Sequence, residues 1–354
     1  MLETIQSSPS ALDAVCLLAS LHRHAMHHGA PVSDPESQHH FSRVRQSLVG
    51  KAPLNEGDAM AGLHVVSWVL FCGGRGSWQE FLNVACRYSD SVLWHPEYQG
   101  PQDALMRCSE ATRFIIKTSM WFDVLASATR VDIPNFLEVY RGLFDPNSAY
   151  IDGSSGPEEL SMMPIMGCEN HIVWALAEIS NLACWKEIQK GRGALSMPEL
   201  VKRGAKIEKH IMPPASPPLF YNELDQTRIL TSQVFRASAR VYLHSVLSGD
   251  YPLCKEIAEG VTDTIEWLKQ VPERGARSVI RSVVFSICIC GCLTDIQWQR
   301  EFLLKRLEIQ QMESVGNCAV VKDLIQQVWQ SRESSTGESV TWRDVMRKTD
   351  MLLV

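Results

Sequence analysis

The sequence has no hydrophobic run long enough to cross a membrane. Its longest apolar stretch, Ser278–Leu293, is interrupted by Arg281 and falls short of the roughly 20 residues that a bilayer span requires. The segment Met1–Ser10 contains no Lys or Arg, whereas a secretory signal begins with a positively charged region. We therefore expect a soluble protein that is not exported.

Cysteine and positive charge are also sparse. The eleven cysteines are odd in number and scattered along 354 residues, unlike the dense, even frameworks of small secreted proteins, which favours a reducing compartment. Lys and Arg number 34 against 40 Asp and Glu, so the net charge is −6 and no broad positive surface for nucleic acid is expected. No basic run typical of a nuclear import signal occurs.

The sequence motifs of several enzyme classes are missing. Gly73–Gly76 lacks the Lys-Ser/Thr of a phosphate-binding loop, and we interpret it as a helix stop. Neither a Gly-x-Ser-x-Gly elbow nor a His-Glu-x-x-His zinc helix is present. The Asp-Asp-x-x-Asp cluster that holds magnesium in class I terpene synthases is absent, and Glu158-Glu159 is the nearest doublet. Hydrolase and terpene synthase chemistry therefore lack support.

Helical periodicity is what the sequence does contain. Apolar residues recur at steps of three and four, and no sustained alternation of period two indicates a strand. The pattern predicts an all-α fold, an irregular array of antiparallel helical hairpins that forms one large domain over residues 1–354. Polar, Pro-rich or Gly-rich surface connections are expected near 145–157, 212–218 and 331–339. The predicted helices span roughly 10–28, 58–72, 78–94, 102–130, 134–144, 164–190, 197–211, 221–247, 252–270, 276–293, 297–314, 318–332 and 341–352.

Four helix starts carry a capping pattern, in which a hydroxyl accepts from a free backbone N–H and an acid follows three residues later. These pairs are Ser10 with Asp13, Ser77 with Glu80, Ser196 with Glu199, and Thr341 with Asp344.

Two groups of residues have the composition of metal sites. Histidine is concentrated in the first forty residues, at His22, His24, His27, His28, His39 and His40. Three of these, His24, His27 and His28, share a helix face and could hold zinc or copper, but a polar exposed face is the favoured interpretation. Cys288, Cys290 and Cys292 point in different directions on a helix, which favours buried packing.

Charged residues on two helices invite a functional interpretation. Arg228, Arg236 and Arg240 share one helix and could form a cationic stripe for an acidic partner or phosphate, the alternative being a solvated face paired with acids. Asp123 follows Trp121 and Phe122 on an apolar helix. A structural carboxylate that joins two helices is favoured there over an acid–base role, because no His or second acid lies near it in sequence.

Three segments, taken in order, carry a resemblance. Phe114–Phe136 contains an aromatic-aromatic-Asp-Val-Leu helix followed by Pro-x-Phe. Met163–Lys186 begins Met-Pro-Ile-Met-Gly-Cys and continues as an apolar helix to Trp-Lys. Phe235–Met346 contains Val-Tyr-Leu, a second Gly-Cys, Val-Trp and finally Trp-Arg-Asp-Val-Met. In this order and spacing, nearly the whole chain resembles the fungal-specific transcription factor regulatory domain.

The resemblance implies a nuclear, non-enzymatic regulator of transcription. Its helical region would act through contacts with other transcription proteins, by forming homo- or heterodimers, or by responding to a small-molecule effector, with no membrane contact. The candidates for ligand or partner contacts are Trp121, Asp123, Met166, Cys168, Trp174, Arg228, Arg236 and Arg240. No catalytic or metal-ligating residue is assigned.

The cysteines depart from the pattern of this family. Its Zn(2)-Cys(6) DNA-binding cluster needs Cys-x2-Cys-x6-Cys spacing twice over, which no cysteines here provide. We expect no such domain in this chain, DNA contact only indirectly or through an N-terminal cluster outside it, and no cofactor except the zinc of such a cluster. A truncated gene model, a member that lost its cluster, or a module recruited by a partner would each fit.

Two alternatives remain open. One is an all-helical enzyme or small-molecule carrier, which would have a closed apolar cavity with convergent polar groups such as Asp123. The other is a scaffold of helical hairpins with an open concave surface and no DNA-linked function.

Overall fold

Helices dominate the protein. The computed structural model describes residues 2–28, 35–147, 157–212, 223–275, 278–313, 316–334, 341–349 and 351–353. Within these ranges the chain forms seventeen α-helices and two 3-10 helices, and no β-strand. The prediction of an all-α fold is confirmed. None of the described helices has the length and apolarity that a bilayer span requires.

Residue contacts divide the chain into two compact units. The first contains Met1–Asp123 and Val315–Asn317, and the second contains Val124–Ser314 and Cys318–Val354. One large domain over residues 1–354 stays a prediction.

The first unit is built from helices joined by short connections. Helix α2 packs against α3 and α4, and α4 packs against α5. Helices α1 and α3 were not predicted, because α1 is a single short segment and α3 has few apolar residues. The helices are α1 (Leu2–Ser7), α2 (Pro9–His28), α3 (Pro35–Leu48), α4 (Glu56–Phe71), α5 (Trp78–Leu93), α6 (Pro101–Arg107) and the beginning of α7 (Glu110–Arg130).

Helix α4 is the apolar centre of this unit. Its start has a capping box, in which the Asp58 N–H donates to Asn55 Oδ1 and the Asn55 N–H donates to Asp58 Oδ2, each at 3.0 Å. Its buried face meets α5 so closely that a Cβ at Gly62 would lie 2.6 Å from the carbonyl oxygen of Phe81. The absence of a side chain at residue 62 therefore sets how near the two helices approach.

The second unit is arranged around its longest helix, α12. This helix contacts α10, α11, α13 and α14, and consecutive helices pair as α10 with α11, α12 with α13, and α15 with α16. Its helices, after the end of α7, are α8 (Leu137–Phe144), α9 (Met163–Met166), α10 (Asn170–Gly191), α11 (Met197–Ile211), α12 (Glu223–Ser248), α13 (Lys255–Gln270), α14 (Val284–Cys292), α15 (Gln297–Glu313), α16 (Cys318–Ser334) and α17 (Trp342–Thr349), with 3-10 helices at Glu158–Leu160 and Ile280–Val283.

Helix α14 is buried on every side. All nine of its residues are buried, and Cys288, Cys290 and Cys292 have no exposed surface. Burial raises the pKa of Cys290 to about 12, so its thiol is protonated at neutral pH. The prediction that these cysteines serve packing is confirmed.

Helix α7 ends in a strained turn. Val131 has φ +60°, a left-handed conformation that is costly for a β-branched side chain. The N–H of Asp132 donates to the carbonyl of Ser127 at 3.2 Å, the bond of a Schellman motif in which glycine usually occupies the left-handed position. Valine therefore holds a position whose backbone geometry favours glycine.

Of the four predicted helix caps, two are confirmed and two are wrong. Ser196 and Thr341 accept from the backbone N–H groups of Glu199 and Asp344, at 3.4 and 3.1 Å, which confirms both. Ser77 makes no cap bond, so that prediction is wrong, and the side chain of Glu80 pairs with Arg45 at 3.0 Å.

The fourth predicted cap, at Ser10, is also wrong. Ser10 lies inside α2 and donates to Asp58 at 3.3 Å, whereas Ser8 accepts the Ala11 N–H at 3.4 Å. The capping residue is therefore two residues earlier than predicted, and the helix begins one residue earlier, at Pro9.

Several predicted boundaries also need correction. The helix expected over 102–130 is interrupted, because Ser109 accepts the Thr112 N–H at 3.0 Å and caps the start of α7. The helix expected over 276–293 begins with the 3-10 turn Ile280–Val283. Helix α16 continues to Ser334, beyond the predicted start of the third connection. Most of the connections near 145–157, 212–218 and 331–339 lie outside the described residues.

Candidate functional site

A glycine turn joins α9 to α10 in the second unit. Gly167 ends α9 with φ +63°, and its N–H donates to the Met163 carbonyl at 3.0 Å. A Cβ on Gly167 would lie 3.3 Å from Thr231 Cβ and 3.5 Å from Arg228 Cα on α12. Both the backbone conformation and the close approach of α12 favour glycine here. The predicted helix over 164–190 is therefore broken at this residue.

Hydrogen bonds hold this turn against α12. The Glu169 N–H donates to Ser232 Oγ, and that hydroxyl donates to Glu169 Oε2, both at 3.1 Å. Arg228 donates to the Pro164 carbonyl at 2.9 Å. We call this group of Pro164, Gly167, Glu169, Arg228 and Ser232 the α9–α12 junction.

Asn170 stabilises the approach to the junction. Its Oδ1 accepts the Met162 N–H at 2.8 Å, and its Nδ2 donates to the Leu160 carbonyl at 3.1 Å. The segment before α10 is thus held by side-chain bonds, since its backbone groups lie outside a regular helix.

The predicted candidates Met166 and Cys168 flank Gly167. Met166 is partly exposed, and Cys168 has no exposed surface. Burial, with a smaller contribution from Glu169, raises the pKa of the Cys168 thiol well above its usual range. Because the thiolate is the nucleophilic form, a protonated buried thiol is suited to packing.

Two of the three arginines of α12 are buried, and the third, Arg228, is half-buried. Arg236 and Arg240 are 4% and 8% exposed, which contradicts both the cationic stripe and the solvated face. Arg236 Nε donates to Gln233 Oε1 at 2.7 Å, and Arg240 pairs with Asp263 on α13 at 2.8 Å. Burial lowers the pKa of Arg236, and Glu169 opposes this shift. Arg240 therefore joins α12 to α13, whereas Arg236 bonds within α12.

Trp174 and two histidines, His171 and His210, lie on α10 and α11. Trp174 is 7% exposed and meets His210 edge to face, with ring centroids 5.4 Å apart. Burial lowers the pKa of His210, and it also lowers the pKa of His171, where Glu169 opposes the shift and Arg236 adds to it. Both imidazoles are neutral at pH 7 as a result.

Trp121 and Asp123 belong to the first unit. They are 5% and 2% exposed, so the aromatic-Asp segment of α7 is buried there. Burial raises the pKa of the Cys86 thiol well above its usual range, and the nearby charge of Asp123 adds to this shift. Asp123 itself has interaction partners. Its burial fits the favoured interpretation of a structural carboxylate.

The structure thus places Met166, Cys168 and Arg228 at the α9–α12 junction, while Trp174 contacts His210 on α11 and Arg240 joins α12 to α13. Sequence reasoning missed Glu169, Asn170 and Ser232. Their signal was present, because Glu-Asn directly after Gly-Cys places polar side chains at the start of an apolar helix.

Metal ligands are not clustered in the part of the chain that the structure describes. No group of three or more His, Cys, Asp or Glu there is placed to hold a metal ion. The side chains of His24, His27 and His28 lie outside the described residues, so their suggested metal face is not tested.

Comparison with known proteins identifies the class. The family model for the fungal specific transcription factor domain matches residues 1–354. The chain therefore belongs to this family, and the predicted resemblance is confirmed.

Curated relatives share this membership. The ustiloxin B cluster transcription factor ustR of Aspergillus flavus is 24% identical over 254 residues, which cover 66% of this chain and 41% of the relative. A trichothecene biosynthesis transcription regulator of Fusarium sporotrichioides is 24% identical, over 54% of this chain and 44% of its own. The pestheic acid cluster transcriptional regulator 3 of Pestalotiopsis fici is 23% identical, over 86% of this chain and 56% of its own. The matched segments thus span about half the length of these relatives. No solved structure matches the chain.

Proposed function

We propose that this chain is the helical regulatory domain of a transcription regulator that controls a biosynthetic pathway in a fungus. The observation that carries the proposal is the family match over residues 1–354, together with relatives whose names describe regulators of biosynthesis or of biosynthetic clusters. The nucleus is the compartment in which such a regulator would act.

The chemistry of the described side chains supports a role in binding rather than catalysis. The thiols of Cys86, Cys168 and Cys292 are buried, with pKa values well above their usual range. The charges of Arg236 and Arg240 are buried at helix contacts. Activated nucleophiles need lowered pKa values or an adjacent base, and these groups have the opposite environment.

The partner in this proposal is another transcription protein or a second copy of the chain. Large apolar side chains suited to such contacts are exposed on the second unit, among them Leu253 at 87% and Trp298 at 47%. Aromatic side chains of this kind are enriched in the centres of protein interfaces.

A tethering experiment tests regulation directly. Fused to an unrelated DNA-binding domain, the chain should change expression of a reporter in a fungal host, relative to that DNA-binding domain alone. The change should be lost with Phe235→Asp, because Phe235 is fully buried in α12 and a charge there disrupts the core. A reporter that responds equally to all three proteins would contradict the proposal.

Two measurements on purified chain separate this proposal from the alternatives. In a mobility-shift titration, the chain alone should bind duplex DNA no more tightly than a non-specific protein, since its net charge is −6. Tight, sequence-selective binding would show that the chain itself reads DNA. Turnover of a small molecule by the pure chain would instead support the helical enzyme.

A further inference from the structure

The second unit contains a cavity of about 270 Å³ with an unusual excess of positive charge. Its charged lining consists of Lys186 and Lys190 on α10 with Arg343 and Arg347 on α17, opposed by two acids. These acids are Glu187 and Asp344, so the lining has two positive charges in excess, although the whole chain is acidic. Such a concentration of one sign in a small cavity attracts anions.

Arg343 is held in place while part of its guanidinium lacks a partner. The group lies over the rings of Tyr242 and Trp342, with its central carbon 5.1 and 4.7 Å from their centroids. It donates to Ser245 Oγ at 3.1 Å, but its Nε is buried and no described residue accepts from it. A buried donor of this kind is costly unless something accepts from it, and arginine is well suited to phosphate and carboxylate.

Helix α17 is anchored on the side away from solvent. Trp342 is fully buried, and its backbone N–H donates to Asp250 Oδ2 at 3.3 Å. Asp250 does not line the cavity, and burial raises the pKa of its carboxyl, an effect that Arg343 opposes. The position of Arg343 is thus set by the fold before any ligand arrives, which lowers the entropic cost of binding.

The remaining cations differ in availability. Lys186 donates to the Val246 carbonyl and is half-buried, and burial lowers its pKa. Lys190 is exposed, while Arg347 is exposed and pairs with Asp344 at 2.6 Å. Exposed pairs of this type are worth little, so Arg347 can exchange its partner for a ligand at small cost.

A strained backbone also lines the cavity. Val131, with its left-handed φ of +60°, is one of the lining residues. Strained residues persist where the surrounding structure enforces them, and they are concentrated at ligand sites.

We propose that this cavity binds a small organic dianion, a phosphate monoester or a dicarboxylate, as the effector of the regulatory domain. The volume of about 270 Å³ is close to the lower end of small-molecule sites, about 300 Å³, which suits a ligand of that size. Calling the ligand an effector rests on the proposed function, whereas the binding itself does not.

Titration calorimetry on the full chain at low ionic strength tests the binding. Inorganic phosphate and succinate are the two probes, and glycerol is the neutral control. We expect saturable one-to-one binding of phosphate, succinate or both, and none of glycerol. Phosphate alone indicates a phosphoryl ligand, and succinate alone indicates a dicarboxylate. Absence of saturable binding for both anions, or equal binding of glycerol, overturns the proposal.

A pair of double variants locates the site. Lys190→Gln with Arg347→Gln removes two exposed charges from the cavity, and affinity should fall about tenfold or more, because the anion loses two charged contacts. Lys202→Gln with Lys255→Gln removes two exposed charges of the same unit elsewhere, and affinity should be unchanged. Circular dichroism should show that both variants fold. Unchanged affinity in the cavity variant, or an equal loss in both, refutes the assignment.

The two proposals fail separately. Calorimetry that detects no binding leaves the reporter assay untouched, whereas a silent reporter with intact anion binding rejects regulation alone. If the chain both binds the anion and regulates the reporter, the variant with Lys190→Gln and Arg347→Gln should still fold. Its reporter expression should no longer change when the ligand is added.

Discussion

The contact between α4 and α5 permits a quantitative prediction. Replacing Gly62 by alanine introduces a Cβ 2.6 Å from the Phe81 carbonyl oxygen, about 0.8 Å short of ordinary contact, which begins at 3.4 Å. The opposing atom is backbone and cannot rotate away. Overpacking of this type costs about 1–3 kcal/mol. Alanine also improves a helix interior by about 0.5–1 kcal/mol, so we expect Gly62→Ala to destabilise the protein by about 1–2 kcal/mol.

Gly142 supplies the matched control. It lies in α8, is exposed, and a Cβ there would meet nothing within 4 Å. Gly142→Ala should therefore stabilise by about 0.5–1 kcal/mol from helix propensity alone. Urea unfolding, monitored by circular dichroism, would give the change in urea midpoint for each variant, and the dependence of the free energy of unfolding on urea should be the same in both. If Gly62→Ala is as stabilising as Gly142→Ala, the inferred close approach of α4 and α5 is incorrect.

Three further predictions concern strain, protonation and a buried hydroxyl. Val131→Gly should raise the free energy of unfolding by about 0.5–1 kcal/mol, because relief of about 1–2 kcal/mol of strain exceeds the entropic cost of glycine; a lower urea midpoint would contradict this. Burial lowers the pKa of His64 in the folded protein, so on acidification this imidazole is protonated at a higher pH in the unfolded chain than in the folded one. The free energy of unfolding should therefore decrease as pH falls from 7 through about 6.5. His64→Gln should reduce this slope in urea titrations across pH, whereas stability that rises on acidification would show the sign to be wrong. Tyr242→Phe, which removes a contact of 3.2 Å with Ser180 Oγ, should cost about 1 kcal/mol in thermal unfolding, and a smaller loss in a Ser180→Ala background would identify the bond.

Sequence patterns predicted those helices that are amphipathic and capped. The predicted helix over 197–211 agrees with α11 at both ends, because Ser196 caps it and Pro198 suits its first turn. Helix α3 was missed because its buried residues are few, among them Val44 and Leu48. Gly167 lies inside a periodic apolar pattern, so its role as a break depends on the approach of α12, which the local sequence does not encode.

At the candidate site too, some features could be predicted from local sequence, and others depend on contacts between distant helices. Met166 and Cys168 were predicted from a motif and flank Gly167 of the α9–α12 junction, whereas Trp174 contacts His210 on α11. The burial of Arg240 depends on Asp263, which is 23 residues away and on another helix. The cationic cavity combines α10, α12 and α17, which are far apart in sequence, so its charge excess appears only in three dimensions.

The burial of α14 has a practical consequence for following the protein in solution. An alkylating reagent cannot reach Cys288, Cys290 or Cys292 in the folded state, and the raised pKa values of the Cys290 and Cys292 thiols further slow the reaction. Cys254, at the turn before α13, is partly accessible. Mass spectrometry would therefore resolve early labelling of surface thiols from later modification of this trio, whose rate reports how often the second unit opens completely.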